Sequence, residues 1–234
     1  MFWRFGGYAN VSAIDTLLEK PDCALEELLE ENDLIQELKQ HNAKLVEYIR
    51  KEENIEKLLN YVVAPKPSPS EENGDSQELD AGTPEDKGKE ISSSNLPGDS
   101  QKSTEEEDEI KVTKWKNYSY AASEVLSSEN WSISEAFVDR LTQRKDLLDK
   151  FWDYIKGPMP LDSLQAGYFN KVNETLLDKK TEQMLNLFKS IDDVVPNMLR
   201  HVDSPMMMDL LLKIISLEKA DDNEVFEDAQ QTLS

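Results

Sequence analysis

Asp162-Ser163-Leu164-Gln165-Ala166-Gly167-Tyr168-Phe169-Asn170-Lys171-Val172-Asn173-Glu174-Thr175-Leu176-Leu177 is the stretch that decides the fold. Asp162 can cap a helix by accepting from a backbone N–H of its first turn. The stripe that follows is Leu164, Tyr168, Val172, Leu176 and Leu177, spaced for one helical face.

The same grammar runs downstream. Thr181 begins another helix, with Met184, Leu185, Phe188 and Ile191 as its apolar positions. Ser204-Pro205 is an N-cap followed by proline at the first helical position, where a missing N–H costs nothing. From Met206 to about Leu217 the residues are apolar almost all round, which predicts a helix covered by neighbours on several sides.

Upstream, Ser132-Ile133-Ser134-Glu135 reads as a capping box, with Glu135 at the third helical position. Ile133, Phe137, Leu141, Leu148, Phe151, Trp152 and Ile155 keep the helical period, and Gly157-Pro158 ends the run. Nearer the start, Pro21-Asp22 marks a helix with Asp22 as N-cap and Glu26 and Glu27 in its first turn. From Asp33, the residues Leu34, Ile35, Leu38, Leu45, Val46 and Ile49 share one face. Ile55, Leu58, Leu59, Val62 and Val63 repeat the pattern. The outer faces are Glu, Lys and Gln, which favour helix and suit water. No segment alternates with period two, so no sheet is expected.

The expected class is therefore all-α. Helices arriving in successive pairs suggest an α-solenoid of the HEAT or armadillo kind, whose pairs span roughly 40–47 residues. A single compact helical bundle is the alternative for the later helices. Composition divides the chain into an N-terminal helical segment, 1–64, and a helical-repeat region, 113–220. Between them, 65–112 opens Pro65-Lys66-Pro67-Ser68-Pro69-Ser70 and stays acidic and polar. It has too few apolar residues to offset its ordering entropy, so it reads as a disordered insertion. Residues 221–234 read as a disordered polar tail.

The 234 residues carry 48 acidic and 26 basic side chains, a formal net charge of -22. Such a surface repels phosphate backbones and anionic lipid, so neither nucleic acid nor membrane is expected as a partner. The single cysteine, Cys23, leaves no internal disulfide framework and fits a reducing compartment, cytoplasmic or also nuclear. No apolar run approaches the ~20 residues that span a bilayer.

Catalytic signatures are lacking. The two histidines are His41 and His201. No phosphate-cradling loop, dinucleotide fingerprint, H-E-x-x-H or G-x-S-x-G is present. His201-Val202-Asp203 could pair a base with an acid, but a histidine at a helix margin is usually a capping or surface group. Asp192-Asp193 and Asp221-Asp222 read as cap and loop residues, and Met206-Met207-Met208 as core. No enzyme activity, cofactor or metal is expected.

Two features point outward. Phe2, Trp3 and Phe5 load the N-terminus with rings that each bury ~150–250 Å² when docked. They either staple the first helix to its own core or contact a partner. In the linker, Ser68-Pro69 and Thr83-Pro84 suit proline-directed kinases, and Ser103-Thr104 precedes an acid run that suits acid-directed ones. Ser68, Thr83, Ser103 and Thr104 are therefore candidate phosphorylation sites.

Several segments together carry a family resemblance. They are Met1-Phe2-Trp3-Arg4-Phe5, Ile14-Asp15-Thr16-Leu17-Leu18-Glu19-Lys20-Pro21, Leu25-Glu26-Glu27-Leu28-Leu29, Leu34 to Lys39 and Leu45 to Tyr48. After the linker come Glu124 to Glu129, Leu161 to Phe169, Val172 to Leu177, Val194-Val195-Pro196, Arg200-His201-Val202 and Ile214 to Glu218. This set resembles the N-terminal portion of the SAPS family, regulatory subunits of Sit4-type phosphatases related to protein phosphatase 6. The acidic insertion is similar to that of fungal members.

The resemblance implies a non-catalytic helical-repeat subunit that binds a Ser/Thr phosphatase catalytic subunit and directs it in cell-cycle progression. It implies that the phosphatase metals are held by the partner; apart from that complex a monomer is expected. Family members continue in further repeats beyond the Ile214–Glu218 segment, so an N-terminal fragment, a shortened gene product or a misread reading frame is expected here. The competing reading is a helical-repeat adaptor or transport scaffold unrelated to phosphatases.

Overall fold

Backbone capping and side-chain burial together fix where each helix starts and which face turns inward. The computed structural model describes residues 12–67 and 100–232, with side chains over 12–67 and 107–219. In chain order its helices are α1 (Ala13–Leu18), α2 (Leu25–Leu29), α3 (Leu34–Lys39), α4 (Ala43–Ile49), α5 (Glu52–Val63) and α6 (Ser100–Leu126). There follow α7 (Trp131–Gln143), α8 (Lys145–Trp152), a 3-10 turn (Asp153–Lys156), α9 (Ser163–Lys179), α10 (Thr181–Lys189), α11 (Val194–Leu199) and α12 (Pro205–Thr232). No strand occurs among the described residues, and the fold is of the expected all-α, helical-repeat class. None of these helices is long and apolar enough to cross a membrane.

The chain divides into two units, one of residues 1–64 with 117–234 and one of residues 65–116. The described part of the second unit includes the first half of α6, where Lys111 Nζ lies 3.5 Å from Asp108 Oδ1. Helix from Ser100 overlaps the last part of the segment that composition assigns to a linker. Glu and Lys favour helix even without apolar partners, and the Asp108–Lys111 pair has helical spacing. Likewise α12 continues through 221–232, where a polar tail is expected.

In the first unit, α1 packs on α4, α4 on α5 and α7, and α5 on α7, α8 and α9. Helix α9 is the hub, touching α5, α7, α10 and α12. Its Phe169 is fully buried, with the rings of Phe151, Trp152 and Tyr154 each centred 5.0 Å away. Phe137 extends the cluster through Phe151 and Phe188 extends it through Trp152. Aromatic pairs at these separations add to the burial of area.

Several starts differ from the sequence expectation. Helix α2 begins at Leu25 with Ala24 at its N-cap, and Asp22 lies in the turn before it. The run from Leu34 to Ile49 is two helices. His41 adopts a positive φ of 57° between them, and Asn42 Oδ1 accepts from Leu45 N at 3.2 Å to start α4. Helix α7 is capped by Asn130, whose Oδ1 accepts from Ile133 N at 3.3 Å, rather than by the Ser132–Glu135 box. Arg144 leaves helical geometry (φ −123°, ψ 84°) and splits α7 from α8. Asp162 does cap α9, accepting from Gln165 N at 3.0 Å.

Two stripes are also corrected. On α12, Met207, Leu210, Leu211 and Ile214 are buried, whereas Met206, Leu212 and Ile215 are exposed, so the helix is covered on one side. On α9, Leu164 is 43% exposed and Tyr168 is half-buried, while Phe169 and Ala166 take the core. Steps of four residues advance about 40° around a helix. A stripe begun at Leu164 therefore starts outside and drifts inward, reaching full burial at Val172 and Leu176.

Candidate partner-binding surface

Tyrosine hydroxyls sort the surface into finished and unfinished parts. Tyr48 donates to Cys23 O at 2.6 Å, Tyr61 to Glu26 at 2.5 Å and Tyr118 to Glu30 at 2.5 Å. Ring centroids of Tyr61 and Tyr118 are 5.2 Å apart, so α2, α5 and α6 are tied at one place. Burial, with a neighbouring carboxylate, pushes the Tyr118 hydroxyl up to about 12 and that of Tyr61 further. Burial alone would raise Glu26, yet the Tyr61 hydroxyl and Lys57 hold its carboxyl below the ordinary value.

Tyr120 on α6 and Tyr168 on α9 differ. Their rings are centred 6.3 Å apart, Tyr120 is 49% exposed, and neither hydroxyl has a hydrogen-bond partner among the described residues. Burial raises the Tyr168 hydroxyl pKa, with Tyr120, Glu124 and Asp162 adding to it, so it stays a neutral donor. Leu164, one helical turn before Tyr168, shares its outer face. Gly167 lies about 60° round the helix from Leu164, on the side away from Tyr168, and a Cβ placed there would meet nothing within 4 Å.

Beyond this face, Lys171 pairs with Glu124 across α9 and α6. A cavity of about 270 Å³ follows, lined by Ile35, Leu38, His41, Glu124, Ser128 and Lys171 among others. Asn130 sets the histidine at its edge. Because Asn130 Oδ1 is occupied by Ile133 N, its Nδ2 faces His41 Nδ1 at 3.4 Å. That nitrogen must accept, so in the neutral imidazole Nε2 carries the proton. Lys179 donates to Ser128 O, and its own burial lowers its pKa. A second recess of about 400 Å³ lies between α7, α8 and α10, with Leu141, Leu148 and Leu187 in its wall and Lys145 reaching Ser190 O at 2.7 Å.

The residues singled out in the sequence fall elsewhere. Phe2, Trp3, Phe5, Ser68 and Thr83 lie outside the described residues. Ser103 and Thr104 are in the first turns of α6, where side chains are not described. His201 is fully buried with Nε2 2.7 Å from Ile155 O, a structural position closed to any substrate. Asp193 sits in the left-handed region (φ 53°) ahead of α11. Met207 is core and Met206 is exposed. Among the described residues no cluster of three or more His, Cys, Asp or Glu could hold a metal. The Tyr120–Tyr168 face was hidden in the sequence because both α9 members also fit an apolar stripe.

Comparison with known proteins bears on what such a scaffold does. The family model SAPS, described as SIT4 phosphatase-associated protein, matches residues 173–233. The extragenic suppressor of kinetochore protein 1 of Schizosaccharomyces pombe is 38% identical over 224 residues, covering 94% of this chain and 22% of its own length. Serine/threonine-protein phosphatase 6 regulatory subunit 3 of Gallus gallus is 30% identical over 216 residues, covering 92% and 20%. SIT4-associating protein SAP190 of Saccharomyces cerevisiae is 32% identical over 229 residues, covering 84% and 21%. The chain thus spans about a fifth of the length of these curated relatives. No solved structure matches it. The resemblance to the SAPS family is therefore shown along nearly the whole chain by these relatives and, at residues 173–233, by the family model itself.

Proposed function

We propose that this chain is a non-catalytic part of a regulatory subunit. It binds a Sit4- or protein phosphatase 6-type Ser/Thr phosphatase catalytic subunit and directs its activity. One observation carries the reading: identity to proteins named as regulatory or associating subunits runs through both helical blocks on either side of the 65–116 unit. The physical form supports it. A helical scaffold with an exposed aromatic face and a strong negative charge suits protein recognition. Hydrolysis and its metals belong to the partner, and the role extends to cell-cycle progression in the cytoplasm and nucleus. Apart from that complex the chain is a monomer.

Affinity purification of the tagged chain, followed by mass spectrometry, tests the proposal. A phosphatase catalytic subunit among the bound proteins is expected. Recovery of other proteins without one would point instead to an adaptor. Phosphatase turnover by the isolated chain would overturn the non-catalytic assignment.

A further inference from the structure

Acid-directed protein kinases read a carboxylate three residues after the acceptor hydroxyl. Among the residues with described side chains, that spacing occurs at Ser12, Thr16, Ser132, Thr175 and Ser190. A kinase also needs its acceptor on a segment that can be drawn out extended. Thr16, Ser132 and Thr175 lie inside α1, α7 and α9, where the backbone is committed to helix. The Ser12 hydroxyl is buried. Ser190 alone of these residues joins exposure to a place between helices. It heads the turn Ser190-Ile191-Asp192-Asp193 that links α10 to α11.

The surroundings of Ser190 are unusual for so acidic a chain. Ser190 lines the recess between α7, α8 and α10, together with Thr142, Lys145, Gln183 and Asn186. No carboxylate lines that recess, although the chain carries 48 acidic residues. Ammonium and carboxamide groups offer donors, so the recess matches an anion. Lys145 Nζ already lies 2.7 Å from Ser190 O, with Asp149 Oδ1 as its other partner at 3.2 Å. A phosphate on Ser190 also meets opposition. It would stand at the negative end of α10, two and three residues before Asp192 and Asp193, and would end the donation of Ser190 Oγ to Leu187 O at 2.6 Å. Lys189 is turned toward Glu218 at 3.3 Å. Lys145 is therefore the cation in reach, since Oγ and O belong to one residue.

We infer that Ser190 is a phosphorylation site for an acid-directed kinase and that Lys145 clamps the phosphate at the α7–α8–α10 recess. The Ser190 hydroxyl oxygen attacks the terminal phosphorus of the kinase's ATP. An Oγ–P bond forms, the bond to ADP breaks, and the hydroxyl proton passes to a base on the kinase. The product adds about −1.5 to −2 charges. Lys145 turns from Ser190 O and Asp149 to the new oxygens, which ties the start of α8 to the α10–α11 turn. This site stands whether or not the chain binds a phosphatase.

The test incubates the full, folded chain with ATP and a purified acid-directed kinase, and maps phosphate by mass spectrometry. Peptide 190–200 has Ser190 as its only hydroxyl residue, which separates this site from the serines and threonines of 65–112. Phosphate on that peptide is expected, and its rate of appearance should fall several-fold in Asp193→Asn, where asparagine tolerates the left-handed φ of 53°. The clamp is read by phosphorus NMR, on the signal that Ser190→Ala lacks. With an ammonium beside it, the phosphate of the parent should titrate at lower pH than that of Lys145→Met, and Lys145→Arg should restore the shift. The Lys145 side chain is 57% exposed, so these variants keep the fold, which thermal melting checks. Phosphate on 65–112 with none on 190–200, phosphate there only in heat-unfolded chain, or an unchanged rate in Asp193→Asn overturns the site. Equal titration in the parent and Lys145→Met overturns the clamp.

Discussion

Arg140 Nε on α7 lies 3.0 Å from Glu56 Oε1 on α5, joining residues 84 positions apart. The Arg140 side chain is only 13% exposed and also reaches Glu52 Oε2 at 2.9 Å, while Arg144 stands 3.2 Å from the same Glu56 oxygen. Arg140→Met keeps the stem and removes the fork. Glu56 retains Arg144, so its charge is not stranded. The loss should be about 1–2 kcal/mol, between a surface pair and a charged hydrogen bond. Urea denaturation of the variant beside the parent would measure it.

Asn42 holds three places at once. It caps α4 and donates through Nδ2 to Asp15 at 3.2 Å and Glu37 at 2.9 Å. Asn42→Ala should cost about 1–2 kcal/mol through the lost cap. Asn42→Asp keeps a capping acceptor but sets three carboxylates together. Its deficit should exceed that of the alanine variant at neutral pH and shrink on acidification. Denaturant midpoints across pH would separate the two.

Phe169 is the centre of the aromatic cluster between the α8 segment and α9. Phe169→Ala should lose about 3–5 kcal/mol, because tightly interlocked rings collapse poorly into a void. Phe169→Leu should lose less. Near-ultraviolet circular dichroism should fall in step, as three neighbouring rings lose their fixed surroundings.

High pH should unlock the tyrosine ties. Tyr48 and Tyr118 both titrate at about 12 in the folded chain, above the ordinary value of 10.0, mainly through burial. The folded state holds its protons longer than the unfolded state. The stability these groups contribute is complete below pH 10 and declines as pH rises toward 12. Tyr118→Phe should flatten part of that decline. Denaturation midpoints tracked with tyrosinate absorbance would show it.

Helix existence was legible because a 3.6-residue period leaves its mark in the residues themselves. Ile55, Leu58, Leu59 and Val62 announce α5, and Asp162 announces the start of α9. Breaks were harder. A positive φ at His41 is not written in a non-glycine residue, and Arg144 leaves the helix at a position with no Gly or Pro. Ser132 and Asn130 both offer caps two positions apart. Tertiary packing chooses Asn130, for Ser134 is fully buried with Lys179 3.4 Å from its hydroxyl. The outward positions of Leu164 and Tyr168 stayed hidden for a related reason. Whether Leu164 and Tyr168 point inward depends on which side of α9 its neighbours occupy, and those neighbours lie far away in sequence.

Ser119 Oγ donates to Tyr61 O at 2.8 Å, although 58 positions separate them. Tyr61 and Ser119, which flank residues 65–116 in the sequence, are thus joined within the helical scaffold. Closing a chain between fixed points grows only with the logarithm of its length, about 0.6 kcal/mol for each doubling. Evolution can therefore splice, stretch or rewrite that acidic stretch almost freely. The helices on either side keep their register whatever sequence is written between them.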